Sequence, residues 1–308
     1  MISASRNAFA AIKNDGSITA WGNSLGGGAF SATSTASPTG TGYIRIYANG
    51  GGFAAQKIDG TIRTWGNTNS IGSSGVNNSL PFTRVTANDF QTGTASYGAF
   101  ATTDSTRGSI TAWGSTGTGT NTGATGKPTS TGWLDVVNTS RAMAAIDANG
   151  TIAAWGDSAF GGGSTSTSPT LTYLKAPTDS GYRQLYGNSS AFVAVRQDGS
   201  LAAWGNSNNG GSGAPAGTGY TQVYSTLNSF AALTADGSIS VWGSALEGGN
   251  TTVAPAAKAT GYTNLFSSQG AFAALKGDGS VTVWGDASMG GTGGPTGTGW
   301  TEITSSGT

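Results

Sequence analysis

The stretch GYTQVYSTLNSFAALTADGSISVWG, residues 219–243, decides the fold of this chain. Tyr220–Tyr224 alternates in polarity and predicts a strand, and the short apolar run Ser229–Thr234 is typical of a strand buried on both faces. An Asp-Gly pair follows, which supplies the positive φ that a tight hairpin needs. Ser238–Trp242 then predicts the returning strand. The stretch therefore predicts an antiparallel unit of three strands.

This unit returns seven times along the 308 residues. The spacings between the closing tryptophans are 44, 48, 42, 49, 38 and 42 residues, and these tryptophans are Trp21, Trp65, Trp113, Trp155, Trp204, Trp242 and Trp284. A β-type repeat with a period near 40 to 50 residues indicates a propeller with one repeat per blade. We therefore expect one all-β domain over residues 1–308, a seven-bladed β-propeller. The Pro- and Gly-containing linkers suit a fourth, outer edge strand in each blade.

The two ends of the chain match different parts of one repeat. Trp300–Thr304 corresponds to Tyr220–Tyr224, and Ile2–Phe9 corresponds to Val223–Phe230. Pairing of the N- and C-terminal segments would close the ring and remove free sheet edges. We therefore expect a closed propeller.

A large aromatic or methionine precedes each tryptophan at a fixed distance. The spacing is 12 residues in six repeats and 13 in the third, and the residues are Phe9, Phe53, Phe100, Met143, Phe192, Phe230 and Phe272. The longer third spacing indicates a bulge or a longer turn, where Arg107-Gly108 replaces the Asp-Gly pair. Residues this large at constant blade positions are expected to be core, and truncation of one tryptophan to alanine should cost about 3–5 kcal/mol.

Composition excludes several classes of function. Fourteen basic residues balance 14 acidic ones, so no basic surface for nucleic acid is expected. Cysteine and histidine are absent, which removes thiolate metal sites, disulfides and the commonest general base. No apolar run is long enough to insert into a membrane. We expect no enzyme activity, no catalytic or metal-binding residues and no cofactor. An enzyme would need carboxylates that converge in space, such as Asp89, Asp135 and Glu302.

The repeat also resembles a known family. The segment AFAALKGDGSVTVWGDASMGG, residues 271–291, resembles the repeat of the regulator of chromosome condensation family, with its Ala-Leu, Asp-Gly and Trp-Gly. The style of the blades is similar to that of the bacterial β-lactamase inhibitor protein II. The resemblance implies a seven-bladed propeller. The histidine and the Gly-Gln of the family repeat are missing, and nothing here matches the residues of its exchange-factor activity.

The turn after each Trp-Gly pair is where the repeats differ. Five residues past the tryptophan stand Phe160, Asn209, Glu247 and Met289, while the neighbouring position holds Leu25 and Leu246, and Phe30 follows in a linker. Exposed apolar side chains within a polar rim are typical of a recognition surface. The alternative is that these side chains fold back between the blades. The predicted binding residues are Leu25, Phe30, Phe160, Asn209, Leu246, Glu247 and Met289.

These patterns predict a non-catalytic binding or display module. The Ser-, Thr-, Gly- and Asn-rich, weakly charged composition suggests an extracellular, cell-surface or virion location, as a surface adhesin or phage fibre head that binds a protein or glycan. No signal peptide is recognised, because Phe9 is already in register with the repeat. Alternatives are an enzyme inhibitor resembling β-lactamase inhibitor protein II and a structural spacer. The chain could also belong to a larger polypeptide or fibre.

Overall fold

The computed structural model describes residues 1–28, 34–35, 37–71, 82–92, 95–115, 125–163, 173–250 and 260–305. They form two compact units, which are Met1–Ala148 with Ala153–Asp157, and Asn149–Ile152 with Ser158–Thr308. Seven antiparallel sheets of propeller-blade type account for almost all of the secondary structure. The predicted all-β fold of seven blades is thereby confirmed. The prediction that residues 1–308 form a single domain stays a prediction.

The first unit contains four of the blades. Their strands are β1 (Ile2–Ala4), β2 (Ala8–Ile12) and β3 (Ile18–Gly22); β4 (Ser34–Thr35), β5 (Tyr43–Asn49), β6 (Gly52–Lys57) and β7 (Ile62–Asn67); β8 (Phe82–Thr92), β9 (Ala95–Asp104) and β10 (Ile110–Gly114); and β11 (Trp133–Asn138), β12 (Ala142–Asp147) and β13 (Ile152–Gly156). One short helix, α1 (Thr68–Ile71), follows β7. The residues at the fourth hairpin, Asn149–Ile152, count with the second unit.

The second unit contains the other three blades. Their strands are β14 (Tyr173–Leu174), β15 (Tyr182–Gly187), β16 (Ala191–Arg196) and β17 (Leu201–Asn206); β18 (Tyr220–Ser225), β19 (Ser229–Thr234) and β20 (Ile239–Gly243); and β21 (Tyr262–Ser267), β22 (Ala271–Lys276) and β23 (Val281–Gly285). The predicted fourth strand occurs as β4 and β14, each of which pairs with the last strand of its blade. The described linker 210–219 forms no such strand.

Consecutive blades of a unit are packed together by their recurrent aromatic pairs. Within six blades the Phe and Trp rings are stacked, with centroids 5.1–5.6 Å apart. The rings of one blade enter the core beside the preceding blade, as where Trp242 and Phe230 meet Val193 and Val195. Six of the seven tryptophans of the repeat are buried, which are Trp65, Trp113, Trp155, Trp204, Trp242 and Trp284.

The first blade departs from the expectation that every such ring is core. Phe9 is 47% exposed and Trp21 is 45% exposed, although the two rings still stack. In the second, fifth, sixth and seventh blades the indole N–H donates to a glycine carbonyl of the preceding blade, as from Trp65 to Gly27 at 3.1 Å. Within the described part of its unit, no earlier blade covers the rings of the first blade. The prediction of burial was therefore wrong for Phe9 and Trp21.

The hairpin turns link successive blades. In the first, fifth, sixth and seventh repeats the two carbonyls of the Asp-Gly pair accept hydrogen bonds from the amides of the next Gly-aromatic pair, as from Gly219 to Asp198 at 2.8 Å and from Tyr220 to Gly199 at 3.2 Å. The third hairpin does the same with Arg107 and Gly108. Its extra residue lies in a longer turn, since the strands on either side keep a regular register. The Asp-Gly turn and the Gly-aromatic pair lie far apart in the repeat, and these hydrogen bonds explain why the two motifs occur together.

The C-terminal segment repeats only the start of this arrangement. The amides of Gly299 and Trp300 donate to Asp278 and Gly279, but residues 301–305 form no strand among the described residues. In the first blade, β1 occupies the position of the first strand and pairs with β2. Closure of the ring stays a prediction.

Candidate functional site

Among the described residues, a single helical turn follows the last strand of six blades. Five of these turns are 3-10 turns, at Ser24–Gly26, Ser158–Phe160, Ser207–Asn209, Ala245–Glu247 and Ala287–Met289, and the sixth is α1. In four of them an Asn or Asp side chain caps the start, as where Asn206 accepts from the Asn208 amide at 3.0 Å. A glycine with φ between 89° and 100° ends five of them. Capped and glycine-closed turns on a packed sheet make a rigid support for variable side chains.

The residue five past the tryptophan is held by its own blade. Its carbonyl accepts a hydrogen bond from a polar side chain at the end of the first strand, as from Asn188 to Asn209 at 2.7 Å and from Thr226 to Glu247 at 3.2 Å. Ser268 donates to the Met289 carbonyl in the same way, at 2.8 Å. These bonds fix the main chain of the turn and leave its side chains free to differ.

The side chain at this position contacts the residue 19 places earlier. Asn209 donates to the Ser190 hydroxyl at 2.7 Å, and Glu247 Oε1 accepts from Asn228 at 2.9 Å. A methyl group added to Gly270 would lie 2.6 Å from Met289 Sδ, so this methionine folds over a glycine. These contacts lie within one blade, so the predicted alternative, in which these side chains fold back between the blades, stays a prediction.

The residue four past the tryptophan points to solvent instead. Leu246 is 81% exposed and Leu25 is 48% exposed, and Met289 keeps 42% exposure despite its contact with Gly270. Among the other predicted binding residues, Phe160, Asn209 and Glu247 are half-buried. Leu25 lies in the first unit, and Phe160, Asn209, Leu246, Glu247 and Met289 lie in the second. Phe30 lies outside the described residues.

In the second unit, hydrogen bonds also join the loops between the first and second strands of neighbouring blades. The Ser189 amide donates to the Leu227 carbonyl at 3.0 Å, and the Leu227 amide donates to Gln269 at 2.8 Å. The Ser189 hydroxyl also donates to Asn228 Oδ1 at 2.7 Å. We call these turns and loops the tip surface of the second unit; it comprises residues 187–190, 206–211, 225–229, 243–249, 267–271 and 285–291.

Sequence reasoning missed the loop residues of the tip surface. Leu227 is 42% exposed, and Asn228 connects two blades through Ser189 and Glu247. A usable signal was present in the sequence, because the residue 19 places before the variable turn position also varies between repeats. Gly270 faces Met289, and Asn228 faces Glu247.

Of the carboxylates considered for catalysis, Asp89 and Asp135 lie in the first unit and Glu302 lies in the second. Asp89 Oδ2 pairs with Arg6 Nη2 at 2.5 Å, beside a polar cavity of about 320 Å³ in the first unit. Asp135 Oδ1 accepts from the Val136 amide at 2.9 Å, and Glu302 is exposed in the second unit. Within the described ranges, no three His, Cys, Asp or Glu side chains are grouped to hold a metal ion. None of the helices described has both the length and the apolar character to cross a membrane.

Two aspartates have pKa values that the local hydrogen bonds explain. Hydrogen bonds from the Ser288 hydroxyl and amide hold the pKa of Asp286 below its usual value. Burial raises the pKa of Asp104, but the Ser109 hydroxyl and the amides of Arg107, Ser109 and Thr106 outweigh burial and lower it to about 2. Asp104 thus organises the longer third hairpin, while Asp286 is ionised on the tip surface at neutral pH.

Comparison with known proteins gives similarities at low identity only. No protein-family model and no curated sequence matches the chain. The chain is similar to the CRINKLY WD40 ectodomain of the Arabidopsis thaliana receptor kinase ACR4, at 14% identity over 92% of this chain and 96% of that one, with a TM-score of 0.45. It is also similar to yeast RCC1 (Prp20) in a structure with Kap60, at 12% identity over 92% of this chain and 69% of that one, with a TM-score of 0.46. For human WBSCR16 the identity is 13% over 79% of this chain and 75% of that one, with a TM-score of 0.47. Values this low assign neither a family nor a function.

Proposed function

We propose that this chain is a non-catalytic binding module that recognises a protein through the turns after its Trp-Gly pairs. The observation that carries the proposal is the contrast within one turn. The main chain is fixed by a closing glycine and a carbonyl hydrogen bond, whereas the outward side chain differs from blade to blade and includes Leu25 and Leu246. Rigid supports that present different exposed side chains suit recognition.

The exposed leucine and methionine side chains favour a protein ligand over a glycan. Large aliphatic groups such as Leu246 and Met289 gain from burial against other apolar groups, at about 25 cal/mol per Å² of apolar area. The Asn and Ser side chains around them supply hydrogen bonds at the rim, where interfaces are usually polar. A glycan ligand stays the alternative for the same surface.

The proposed location is extracellular, on a cell surface or virion, as an adhesin or a fibre head. Only 9% of residues are charged, and Ser, Thr, Gly and Asn dominate the linkers. Inhibition of an enzyme would use the same turns, and assays against β-lactamases would detect it. A spacer in a larger polypeptide or fibre needs no ligand at all.

The test compares two substitutions of matched exposure. Leu246, 81% exposed on a turn, and Ile58, 85% exposed on a hairpin, are each changed to serine. Ligands of the wild type are selected from a displayed random-peptide library and a glycan array, and their affinities are measured by biolayer interferometry. We expect peptide ligands whose binding weakens with Leu246→Ser and not with Ile58→Ser. Equal binding by both variants would exclude the turns, and ligands found only on the glycan array would replace the protein by a sugar.

A further inference from the structure

We propose that the tip surface of the second unit binds a protein segment in which a Lys or Arg stands beside aliphatic side chains. This inference rests on the binding function proposed above and specifies its partner. It follows from the charges, an unpaired oxygen and the exposed apolar groups of one continuous surface.

The tip surface carries acidic charge without a basic counterpart. Of its residues, Glu247 and Asp286 are acidic, and its segments contain no Lys or Arg. The hydrogen bonds from Ser288 hold the pKa of Asp286 low, so that this group stays ionised at neutral pH. Complementary charge accelerates encounter and selects among partners, and a partner cation is the complement here.

Glu247 also has an acceptor that the described residues do not satisfy. Its Oε1 accepts from Asn228 Nδ2, while its Oε2 is buried without a hydrogen-bond donor among the described residues. A buried polar atom left without a partner destabilises the free protein. The ammonium of a lysine or the guanidinium of an arginine that reached this oxygen would supply the missing donor.

The exposed apolar groups of the tip surface indicate which side chains should flank the cation of the ligand. Leu227, Leu246 and Met289 are 42%, 81% and 42% exposed, and the loops that carry Leu227 and its neighbours are joined by main-chain hydrogen bonds. Methionine adapts its shape to different apolar partners. Lys and Arg themselves offer aliphatic stems, so a cation flanked by Leu, Ile or Val fits both parts of the surface.

The experiment uses the full chain and the peptides selected from the random library. The variant Glu247→Gln with Asp286→Asn removes both charges and keeps the hydrogen-bond acceptors, since Asn23 and Asn206 already cap equivalent turns. The control Asp198→Asn removes one acid from a hairpin turn, where Asn149 occupies the equivalent position. Affinities are measured at low and high salt.

We expect the Leu246-dependent peptides to be enriched in Lys or Arg next to aliphatic residues. The double variant should bind them about tenfold more weakly or worse, with less salt dependence, and the control should bind as the wild type. Leu246-dependent peptides without basic enrichment, or unchanged binding by the double variant, would overturn the inference and leave the proposed function standing. A library without any Leu246-dependent binder would count against both.

Discussion

Substitution of Gly210 by alanine tests how one blade is packed on the next. Gly210 ends the turn Ser207–Asn209 with φ of 92°, and its carbonyl accepts from the Trp242 indole at 3.0 Å. A methyl group added there would lie 2.6 Å from Cδ2 and 3.0 Å from Cε2 of Phe230. That ring is fully buried and stacked on Trp242, with centroids 5.4 Å apart, so it has little room to retreat.

Two costs add in this variant. An alanine in the left-handed region costs about 1–2 kcal/mol. Overpacking of a filled core costs about 1–3 kcal/mol more. The expected loss in free energy of unfolding is therefore about 2–5 kcal/mol. Gly219→Ala is the matched control, because its φ is 85° and no described atom lies within 4 Å of the added methyl group. Gly219→Ala should lose only the backbone cost of the left-handed conformation, about 1–2 kcal/mol.

Urea unfolding followed by tryptophan fluorescence and far-ultraviolet circular dichroism measures both losses. The decisive quantity is the difference between the two variants, since the backbone cost is common to them. Equal losses for Gly210→Ala and Gly219→Ala would refute the reasoning, because the turn would then not lie against the buried ring of the next blade.

Three further outcomes are expected. Trp204→Phe removes the indole N–H that donates to the Gly161 carbonyl at 3.1 Å, and should lower the free energy of unfolding in urea by about 1–3 kcal/mol. Asp104 has a pKa of about 2 in the folded chain against an ordinary 3.8, so its ionised form stabilises the fold fully above about pH 4 and loses this effect as the pH falls towards 2. The stability gap between wild type and Asp104→Asn, up to about 2 kcal/mol, should therefore shrink over that range in acid titrations of unfolding. Leu246→Ser should leave thermal unfolding within about 0.5 kcal/mol of the wild type, because the side chain is 81% exposed; a larger loss would show that it is packed.

The blades could be predicted from the sequence because each strand depends on local pattern. The expected buried strand Ser229–Thr234 matches β19, and the Asp-Gly pair beside it forms the expected hairpin. The long β8–β9 pair of the third blade, with β8 of 11 residues and β9 of 10, was not predicted. Its extension has no counterpart in the other repeats, so the periodic pattern contains no information about it.

The site was harder to predict because exposure there is decided by pairs of residues. Met289 and Leu246 are both apolar and occupy neighbouring positions of the repeat, five and four past the tryptophan. Met289 folds over Gly270, whereas Leu246 points outward. The exposure of Phe9 and Trp21 has a different origin. Their sequence is that of core residues, and only the position of their blade in the chain makes them different.

The separation of main-chain and side-chain roles explains how this chain can keep its fold while its tips vary. Each tip is built by bonds to main-chain atoms: Asn206 caps an amide, Asn188 binds the Asn209 carbonyl, and the Trp242 indole binds the Gly210 carbonyl. None of these bonds uses the side chain that points to solvent. A change at that position therefore alters the surface without removing a hydrogen bond from the blade. A change at the inward position, five past the tryptophan, has a different consequence. The residue 19 places earlier must then make room for the new side chain or bond to it, as Asn228 does for Glu247. New specificity should accordingly arise through single changes at outward positions and through paired changes at inward ones.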